Sequence, residues 1–282
     1  MDTKKVWFVT GASKGLGLAL VKQLLNDGYK VAGTSRSLER LEKEVEPSTD
    51  FLPLEVDITD EESVSNAIDQ AIESFGGIDV VVNNAGYGQL GTLEELTDRE
   101  SRQNFDANVF GSLNVIRRVM PHLRSKKSGH IINVSSIAGL TGTFPGWGIY
   151  CATKFAVAGF TEALSAEIKE FGVSATVVYP GYFRTNFLDK GSLNLPQNPV
   201  VAYTEARNLE AAHVNDIKGN QPGDPEKAAR VFIQLGESEN PPLHFIMGED
   251  AFGRAHDKIE VLQNELRANE VLSKSTTFAN SK

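Results

Sequence analysis

The sequence predicts an α/β fold built on a doubly wound, seven-stranded parallel sheet with helices on both faces. Short apolar runs rich in β-branched residues alternate along the 282 residues with helical patterns, as in successive βαβ units. Several of these runs are continuously apolar, which is typical of parallel strands buried on both faces. A glycine-rich turn also joins the first run to the first helix, as dinucleotide-binding sheets require.

The order of the elements follows from these patterns. Strands are expected at 6–10, 30–35, 51–57, 79–85, 130–136, 174–180 and 243–248. Helices are expected at 17–26, 61–75, 99–125, 150–171, 225–236 and 250–268, and the stretches TDEES (59–63) and TDRE (97–100) resemble capping boxes. Residues 181–223 form one long irregular stretch, of a length usual for a lid or a binding loop. We therefore expect a single domain over residues 1–272 and a frayed polar tail at 273–282.

The composition excludes several classes of function. With a net charge of −9 and a pI of about 5.2, the chain has no overall attraction to nucleic acid or to anionic membranes. Cys151 is the only cysteine, which leaves no disulfide framework, and the five histidines are too scattered for a metal motif. No apolar run is long enough for a signal peptide or a membrane span. We expect a cytoplasmic protein that acts on a small molecule.

The stretch TGASKGLG (10–17) follows the first predicted strand and opens the first predicted helix. Gly11, Gly15 and Gly17 permit a tight turn and a close approach of the backbone to a ligand. The helix N-terminus then presents free N–H groups and the positive end of its dipole to a pyrophosphate. This pattern predicts a Rossmann dinucleotide-binding domain, and a glycine-rich turn without a ligand is the alternative.

The end of the second predicted strand indicates which dinucleotide is bound. NAD-binding domains usually place a carboxylate there for the ribose 2′-hydroxyl, but this sequence has Ser35 followed by Arg36. The guanidinium of Arg36 suits a 2′-phosphate, and Lys14 adds a second cation from the glycine turn. NADP(H) is therefore favoured over NAD(H), and the alternative is that Arg36 is an ordinary solvated arginine.

The stretch YCATK (150–154) places Tyr150 and Lys154 four residues apart, on one face of a helix. A nearby ammonium stabilises a phenolate, so we expect Lys154 to lower the pKa of Tyr150. A tyrosine tuned in this way can donate a proton to a carbonyl oxygen that receives hydride, or take it back in oxidation. The alternative is an amphipathic helix start with a snorkelling lysine.

Five motifs occur in one order: TGASKGLG, NNAG (83–86), NVSS (133–136), YCATK and PG (180–181). Together they resemble the short-chain dehydrogenase/reductase family, and the resemblance covers the chain from about Val6 to Thr185. The resemblance implies that Tyr150 is the acid/base and that Lys154 holds the nicotinamide ribose. It implies that Ser136 binds and polarises the substrate carbonyl, and that Asn108 maintains a water-linked proton relay.

Two of these assignments can be weighed from the residues alone. Asn108 lies on an apolar helical stripe, so its amide is expected to be buried and must find partners. A relay would supply them, and a structural amide bonded to a loop is the alternative. Ser136 ends a predicted strand, where open α/β sheets bind ligands, and its neighbour Ser135 is the competitor.

The resemblance also implies a set of cofactor-binding residues at the ends of the strands. Asp57 and Ile58 match the adenine contact, and Pro180, Gly181 and Thr185 match the segment that borders the nicotinamide. The full NADP(H) set is Gly11, Ser13, Lys14, Gly15, Leu16, Gly17, Ser35, Arg36, Asp57, Ile58, Asn84, Ala85, Gly86, Tyr150, Lys154, Pro180, Gly181 and Thr185.

Aromatic residues around the tyrosine and in the region 181–223 predict an apolar substrate pocket, with Ser136, Phe144, Trp147, Phe183 and Phe187 as candidates. Such a pocket suits a bulky hydrophobic ketone or aldehyde, and the alternative is that the aromatics only pack the loop onto the body. The extended loop and MGEDAF (247–252) are similar to the hydroxysteroid-dehydrogenase-like branch of the family.

The leading hypothesis is an NADPH-dependent carbonyl reductase that also works in reverse. A 3-oxoacyl-carrier-protein reductase is an alternative, because the basic stretch Arg117 to Lys127 would suit an acidic carrier protein. A non-catalytic NADP(H)-sensing protein is another. The resemblance also implies a homodimer or homotetramer, since helices 99–125 and 150–171 pair subunits in many relatives.

Overall fold

A computed structural model describes residues 4–278 of the chain. The first three residues of the predicted domain and residues 279–282 of the predicted tail lie outside the described part. Seven parallel strands form the main sheet, in the spatial order β3-β2-β1-β4-β6-β7-β9. They are β1 Val6–Val9, β2 Lys30–Ser35, β3 Phe51–Glu55, β4 Val80–Asn83, β6 Gly129–Val134, β7 Val173–Pro180 and β9 His244–Met247.

Helices connect these strands and confirm the predicted alternation. The helices are α1 Gly15–Asn26, α2 Leu38–Glu44, α3 Glu61–Phe75, α4 Asp98–Phe105, α5 Gly111–Lys126, α6 Gly148–Ile168, α7 Thr204–Ala212, α8 Pro225–Glu237, α9 Glu249–Ala268 and α10 Glu270–Lys274. A small second sheet pairs β5 Gly88–Gln89 with β8 Leu193–Asn194.

The two faces of the main sheet carry separate cores, as the period of two along a strand requires. Trp7 and Val9 of β1 pack with α1, α2 and α8, whereas Phe8 packs with α3, α5 and α6. Each of these three side chains is at most 1% exposed. Helices therefore cover both faces, and the doubly wound α/β fold is confirmed.

The strand order fixes the place of a binding crevice. The chain leaves β1 toward β2 and β3 on one side, and β4, β6 and β7 continue on the other side. Open parallel sheets bind ligands at the carboxyl ends of the strands where the order reverses in this way. The glycine turn after β1 and the stretch NNAG after β4 meet at this point.

The structure corrects two local expectations and confirms a third. Residues 181–223 are not irregular throughout, because α7 and a π-helical turn, His213–Ile217, form within them. The N-cap of α3 is Asp60, whose carboxylate accepts from two backbone N–H groups, so TDEES is not a Thr59 capping box. The Thr97–Glu100 capping box is confirmed.

Helix α2, which the sequence analysis does not predict, begins at Leu38, two residues after Arg36. The predicted helix 99–125 is interrupted by a π-helical turn at Asp106–Phe110, between α4 and α5. This turn brings Asn108 toward the loop after β4. In the predicted tail, α10 ends at Lys274 and the described residues that follow it are exposed.

Candidate active site

A cavity of about 1110 Å³ lies at the carboxyl ends of the central strands. It is lined by the glycine turn, by the ends of β2, β4, β6 and β7, by the start of α6 and by the region 181–223. Every predicted cofactor and substrate residue lines it except Gly17, and every predicted catalytic residue lines it except Asn108. Gly17 and Asn108 do not line the cavity, but both contact residues that do.

The glycine turn needs its glycines for two different reasons. Gly11 and Gly15 have φ values of 68° and 60°, a region in which residues with a Cβ are strained. A Cβ at Gly17 would lie 2.4 Å from the carbonyl oxygen of Gly11, so helix α1 can approach the turn only with glycine there. The N-cap of α1, Lys14, makes no side-chain cap, which leaves the first N–H groups available to an anion beside the cavity.

The turn is clamped to the loop after β4 by Asn84 and by Thr10, a residue that the sequence analysis missed. The Asn84 amide donates to the carbonyl oxygens of Thr10 and Gly11 at 2.9 and 3.2 Å. The Thr10 hydroxyl accepts from the N–H groups of Asn84 and Ala85, both at 3.0 Å. The side chain of Asn84 thus holds the glycine turn in its conformation. In the sequence, Thr10 could have been recognised as a site residue by its hydroxyl at the end of the first strand.

Three cations gather at the end of β2. Lys14, Arg36 and Arg40 all line the cavity, and Arg40 lies in the first turn of α2. Burial lowers the pKa of Lys14, and the charges of Arg36 and Arg40 lower it further, which shows that the three charges are close. Lys14 Nζ donates to the carbonyl oxygen of Gly191 at 3.1 Å. The sequence analysis missed Arg40, although its spacing of four residues from Arg36 was a usable signal once α2 was known.

Two serines and an aspartate shape the neighbouring wall. The Ser35 hydroxyl donates to the Ser13 hydroxyl at 2.9 Å, which joins the end of β2 to the glycine turn. The Asp57 carboxylate accepts from the N–H and the hydroxyl of Thr59 at 2.9 and 2.7 Å. Ile58 packs so closely on α5 that a Cβ at Gly111 would lie 2.7 Å from its Cδ1. The loop after β3 is therefore held in place before any ligand binds.

Ser136 and Tyr150 lie together at the centre of the cavity. Tyr150 is in the first turn of α6, is 7% exposed, and forms a hydrogen bond with the Ser136 side chain. Ser136 also accepts from the N–H of Ala138 at 3.1 Å, as the cap of a short 3₁₀ turn. The competitor Ser135 donates its hydroxyl to the carbonyl oxygen of Lys154 at 2.8 Å, so it is engaged with the backbone of α6.

The pKa of Tyr150 is not lowered in the structure, although the sequence analysis expects it to be. Burial raises the pKa of Tyr150, although the hydrogen bond from Ser136 opposes the rise. Burial also lowers the pKa of Lys154 to about 8. Lys154 Nζ lies 5.8 Å from the centre of the Tyr150 ring and donates to the carbonyl oxygen of Val134 at 3.0 Å. The net shift of the Tyr150 pKa in the chain by itself is therefore opposite to the expected lowering, because burial disfavours the phenolate more than the Ser136 side chain favours it.

Asn108 is buried, as expected, and all of its polar atoms have partners in the protein. Its Oδ1 accepts from the N–H of Tyr87 at 2.9 Å. Its Nδ2 donates to the carbonyl oxygen of Tyr87 and to the Thr153 hydroxyl, both at 3.0 Å. The amide therefore ties the loop after β4 to α6, which favours the alternative of a structural amide bonded to a loop.

Aromatic rings form the wall beside Tyr150. The ring of Trp147 lies 5.1 Å from that of Tyr150, and Phe187 lies 6.0 Å away on the other side. Phe144 packs in the same cluster, whereas Phe183 lines the cavity but also packs against the main core. The cavity wall next to Tyr150 is thus largely apolar.

The far side of this pocket contains polar residues that the sequence analysis did not assign. His213 Nδ1 lies 2.7 Å from the carbonyl oxygen of Leu209, so it must carry the proton. Its Nε2 therefore accepts from the Tyr182 hydroxyl at 2.8 Å. Gln221 lines the cavity nearby. No spacing in the sequence joins these residues, because the fold of 181–223 alone brings them together.

The described residues of the chain contain neither a cluster of metal-ligating side chains nor a helix suited to spanning a membrane. In the described part of the chain, no three His, Cys, Asp or Glu side chains are grouped so that they could hold a metal ion. Among residues 4–278, no helix combines the length and the apolar character needed to cross a membrane.

Comparison with known proteins agrees with this geometry. The profile of the short chain dehydrogenase family matches residues 5–194. The chain is 37% identical to oxidoreductase BOA17 of Botryotinia fuckeliana, over 92% of this chain and 94% of that protein. It is 35% identical to 3-ketodihydrosphingosine reductase of Bacteroides thetaiotaomicron, over 86% and 88%.

Solved structures share the fold. A short-chain dehydrogenase from Streptomyces avermitilis superposes with a TM-score of 0.89 at 33% identity, and the match covers 99% of this chain and 100% of that one. Other solved structures with this fold hold NADP in some cases and NAD in others.

Proposed function

The chain belongs to the short-chain dehydrogenase/reductase family of oxidoreductases, and from that premise we propose that it reduces a bulky hydrophobic ketone or aldehyde to an alcohol with NADPH, reversibly. The observation that carries the proposal is the hydrogen-bonded pair of Ser136 and Tyr150 in the cavity, with Lys154 beside the tyrosine. Two neighbouring hydroxyls in an apolar pocket can both donate hydrogen bonds to one carbonyl oxygen of a substrate.

The residues present fit a dinucleotide with a 2′-phosphate. The positive φ values at Gly11 and Gly15 and the uncapped start of α1 make a cradle for a pyrophosphate. Lys14, Arg36 and Arg40 converge at the end of β2, and in the described residues neither arginine has a salt-bridge partner. Three crowded cations, of which neither arginine is paired in a salt bridge, favour a ligand that carries extra negative charge at that place, which supports NADP(H) over NAD(H).

When bound, NADPH supplies the hydride for the carbonyl carbon of the substrate. Ser136 donates a hydrogen bond to the carbonyl oxygen and holds it in place. Tyr150 donates its proton to that oxygen as charge develops on it. Burial keeps the Tyr150 hydroxyl protonated, so it is available as an acid in the direction of reduction.

In the oxidative direction Tyr150 must accept a proton, and a cation near its oxygen would favour this. Lys154 Nζ is the cation of the chain that lies close to the ring, and its retained charge stabilises the phenolate. Asn108 acts as a positioning residue, since its three hydrogen bonds fix α6 against the loop after β4.

The substrate proposal is supported by the wall of Phe144, Trp147 and Phe187. Aromatic rings at 5.1 and 6.0 Å from Tyr150 leave apolar surface next to the reacting carbonyl. A relative named for the reduction of 3-ketodihydrosphingosine is consistent with a large hydrophobic ketone.

The alternative of a carrier-protein reductase has less support. Arg117 and Arg118 of the basic stretch lie 3.7 and 3.4 Å from the Glu61 carboxylate, and Lys126 pairs with Asp79. These internal partners reduce the positive charge that a carrier protein would meet. A non-catalytic sensing role has no observation in its favour, because Ser136, Tyr150 and Lys154 are all in the cavity.

We also propose a cytoplasmic homodimer or homotetramer. Two aromatic side chains on the helices that were expected to pair subunits are exposed, namely Phe110 at 52% and Phe155 at 43%. Burial of such surface would favour association. Light scattering of the purified protein would measure the number of subunits.

The function is tested by NADPH consumption with a panel of bulky ketones, aldehydes and steroids, each repeated with NADH. We expect turnover with NADPH, and a loss of about 10²-fold or more in kcat for Tyr150→Phe, because the proton donor is removed. Near-normal turnover in that variant, or no turnover by the wild type on the panel, would contradict the proposal.

A further inference from the structure

The substrate side of the cavity carries polar side chains that the proposed chemistry does not use. We infer that Gln221, together with the Tyr182–His213 pair, binds an uncharged hydrogen-bonding group, such as a hydroxyl, that the substrate carries in addition to its reacting carbonyl. This inference rests on the proposed function, because it assigns a further part of the substrate in the same site.

Gln221 is the strongest indication of a polar subsite on the substrate side of the cavity. It lines the cavity and is only 2% exposed. Its Oε1 is shielded from solvent and has no hydrogen-bond partner among residues 4–278. Buried amide groups are normally hydrogen-bonded, so the unsatisfied oxygen of Gln221, in the wall of the cavity, would be completed by a ligand group that draws the side chain toward the cavity.

Main-chain hydrogen bonds hold Gln221 in position. Gly223 N donates to the carbonyl oxygen of Tyr182 at 2.9 Å, and Arg184 N donates to that of Gly223 at 2.8 Å. Arg184 Nε also donates to the carbonyl oxygen of Gln221 at 3.2 Å. The two segments are thus tied side by side, which fixes the backbone of Gln221 beside residues 182–184.

The Tyr182–His213 pair complements the amide. Because Leu209 fixes the proton on Nδ1 of His213, the Tyr182 hydroxyl donates its proton to Nε2 and keeps its oxygen lone pairs for a ligand. The subsite therefore offers an acceptor from Tyr182, and both an acceptor and a donor from Gln221. A hydroxyl group, which donates and accepts, matches this set.

The group should be uncharged. Burial lowers the pKa of His213, so the imidazole stays neutral near neutral pH. Of the cations that line the cavity, Lys14, Arg36 and Arg40 lie at the end of β2, and Lys154 lies beside Tyr150. Arg184, bonded to the carbonyl oxygen of Gln221, and Arg254, which lies 5.2 Å from the centre of the Phe144 ring, do not line the cavity. An ionic group of the substrate would find no partner here and would lose its hydration.

The distance between the subsite and the reacting carbonyl is set by Trp147. Its ring lies 5.1 Å from that of Tyr150 and 5.0 Å from that of His213, so one indole separates the two places. The second polar group of the substrate is therefore several bonds away from the carbonyl, and apolar atoms cross Trp147 between them.

The test measures binding, so that it does not depend on turnover. Calorimetry in the presence of NADP⁺ compares dodecan-2-ol with dodecanediols in which the second hydroxyl is moved along the chain. We expect at least one diol to bind the wild type about tenfold more tightly than the mono-alcohol, as one good hydrogen bond provides. Gln221→Leu should remove this preference, and Tyr182→Phe should reduce it. Gln70→Leu, the same change on the exposed side of α3, is the matched control and should keep it.

Two results would overturn the inference: no diol preferred by the wild type, or a preference that survives in Gln221→Leu. The melting temperature gives a second readout, since leucine replaces an unsatisfied amide and should leave it unchanged or higher. A lower melting temperature with unaltered selectivity would assign Gln221 a structural role instead. Failure of the reductase proposal is separate, because it shows as absent NADPH consumption whatever the binding ratio.

Discussion

The Ser135 hydroxyl donates a hydrogen bond of 2.8 Å to the main-chain carbonyl of Lys154, which fixes the end of β6 to the first turns of α6. The contact is so close that a Cβ at Gly139 would lie 2.2 Å from Ser135 Oγ and 2.5 Å from the Lys154 oxygen. Ser135 thus holds the helix that carries Tyr150, while Ser136 points its hydroxyl toward the tyrosine.

Because the two serines have different contacts, we expect replacement of Ser136 to lower kcat and replacement of Ser135 to lower stability. Ser136→Ala removes a donor to the carbonyl oxygen and should lower kcat by about 10²-fold, as loss of an oxyanion donor does. Ser135→Ala should act on stability, with a melting temperature lower by roughly 2–4 °C for a loss of about 1 kcal/mol. Steady-state kinetics and calorimetry of both variants check this. The reverse pattern, with kcat lost in Ser135→Ala alone, would reassign the carbonyl-binding role.

The cation cluster predicts a change of cofactor preference. Replacing both Arg36 and Arg40 by alanine removes the charges that would face a 2′-phosphate, so KM for NADPH should rise by about tenfold or more. KM for NADH should change little, because NADH lacks that phosphate. Arg230→Ala, an exposed arginine of α8, is the control. An equal rise in KM for NADPH and NADH would show that the arginines do not bind the 2′-phosphate.

The strands, the glycine turn and the Tyr150–Lys154 spacing follow from the sequence because they depend on local periodicity. Arg40 could not be assigned until α2 was known, and the Gln221 subsite depends on how 181–223 folds back on itself. The pKa of Tyr150 was misjudged for a related reason. Spacing on a helix indicates that two side chains are neighbours, but only the packed structure shows how far both are desolvated.

Buried His130 predicts a loss of stability in mild acid. Burial lowers its pKa to about 4, with a smaller contribution from Lys5, and its Nε2 lies 2.8 Å from the Thr176 hydroxyl. Between pH 6.5 and 4 the unfolded chain binds a proton that the folded chain does not, so stability falls as the pH falls. The loss is about 3 kcal/mol at the lower end. Urea unfolding of the wild type and of His130→Gln across this range checks it. Parallel pH profiles would contradict the assignment.

The substitution Gly17→Ala tests whether close packing at this position outweighs the higher helix propensity of alanine. In Gly17→Ala the new methyl group would lie 2.4 Å from the Gly11 oxygen and 2.5 Å from Asn84 Nδ2, so the turn must shift. We expect a stability loss of roughly 1–3 kcal/mol from overpacking, and weaker NADPH binding, because Asn84 positions the cradle.

Gly253→Ala, in α9, is the matched control for Gly17→Ala. No atom lies within 4 Å of its added Cβ, so the helix should gain up to about 1 kcal/mol from the better propensity of alanine. Urea titration and NADPH fluorescence measure the two effects in both variants. If Gly17→Ala gained stability like the control and kept its affinity, the glycine turn would be looser than the contacts of Asn84 indicate. The close approach of α1 to Gly11 would then have no role in holding the cofactor.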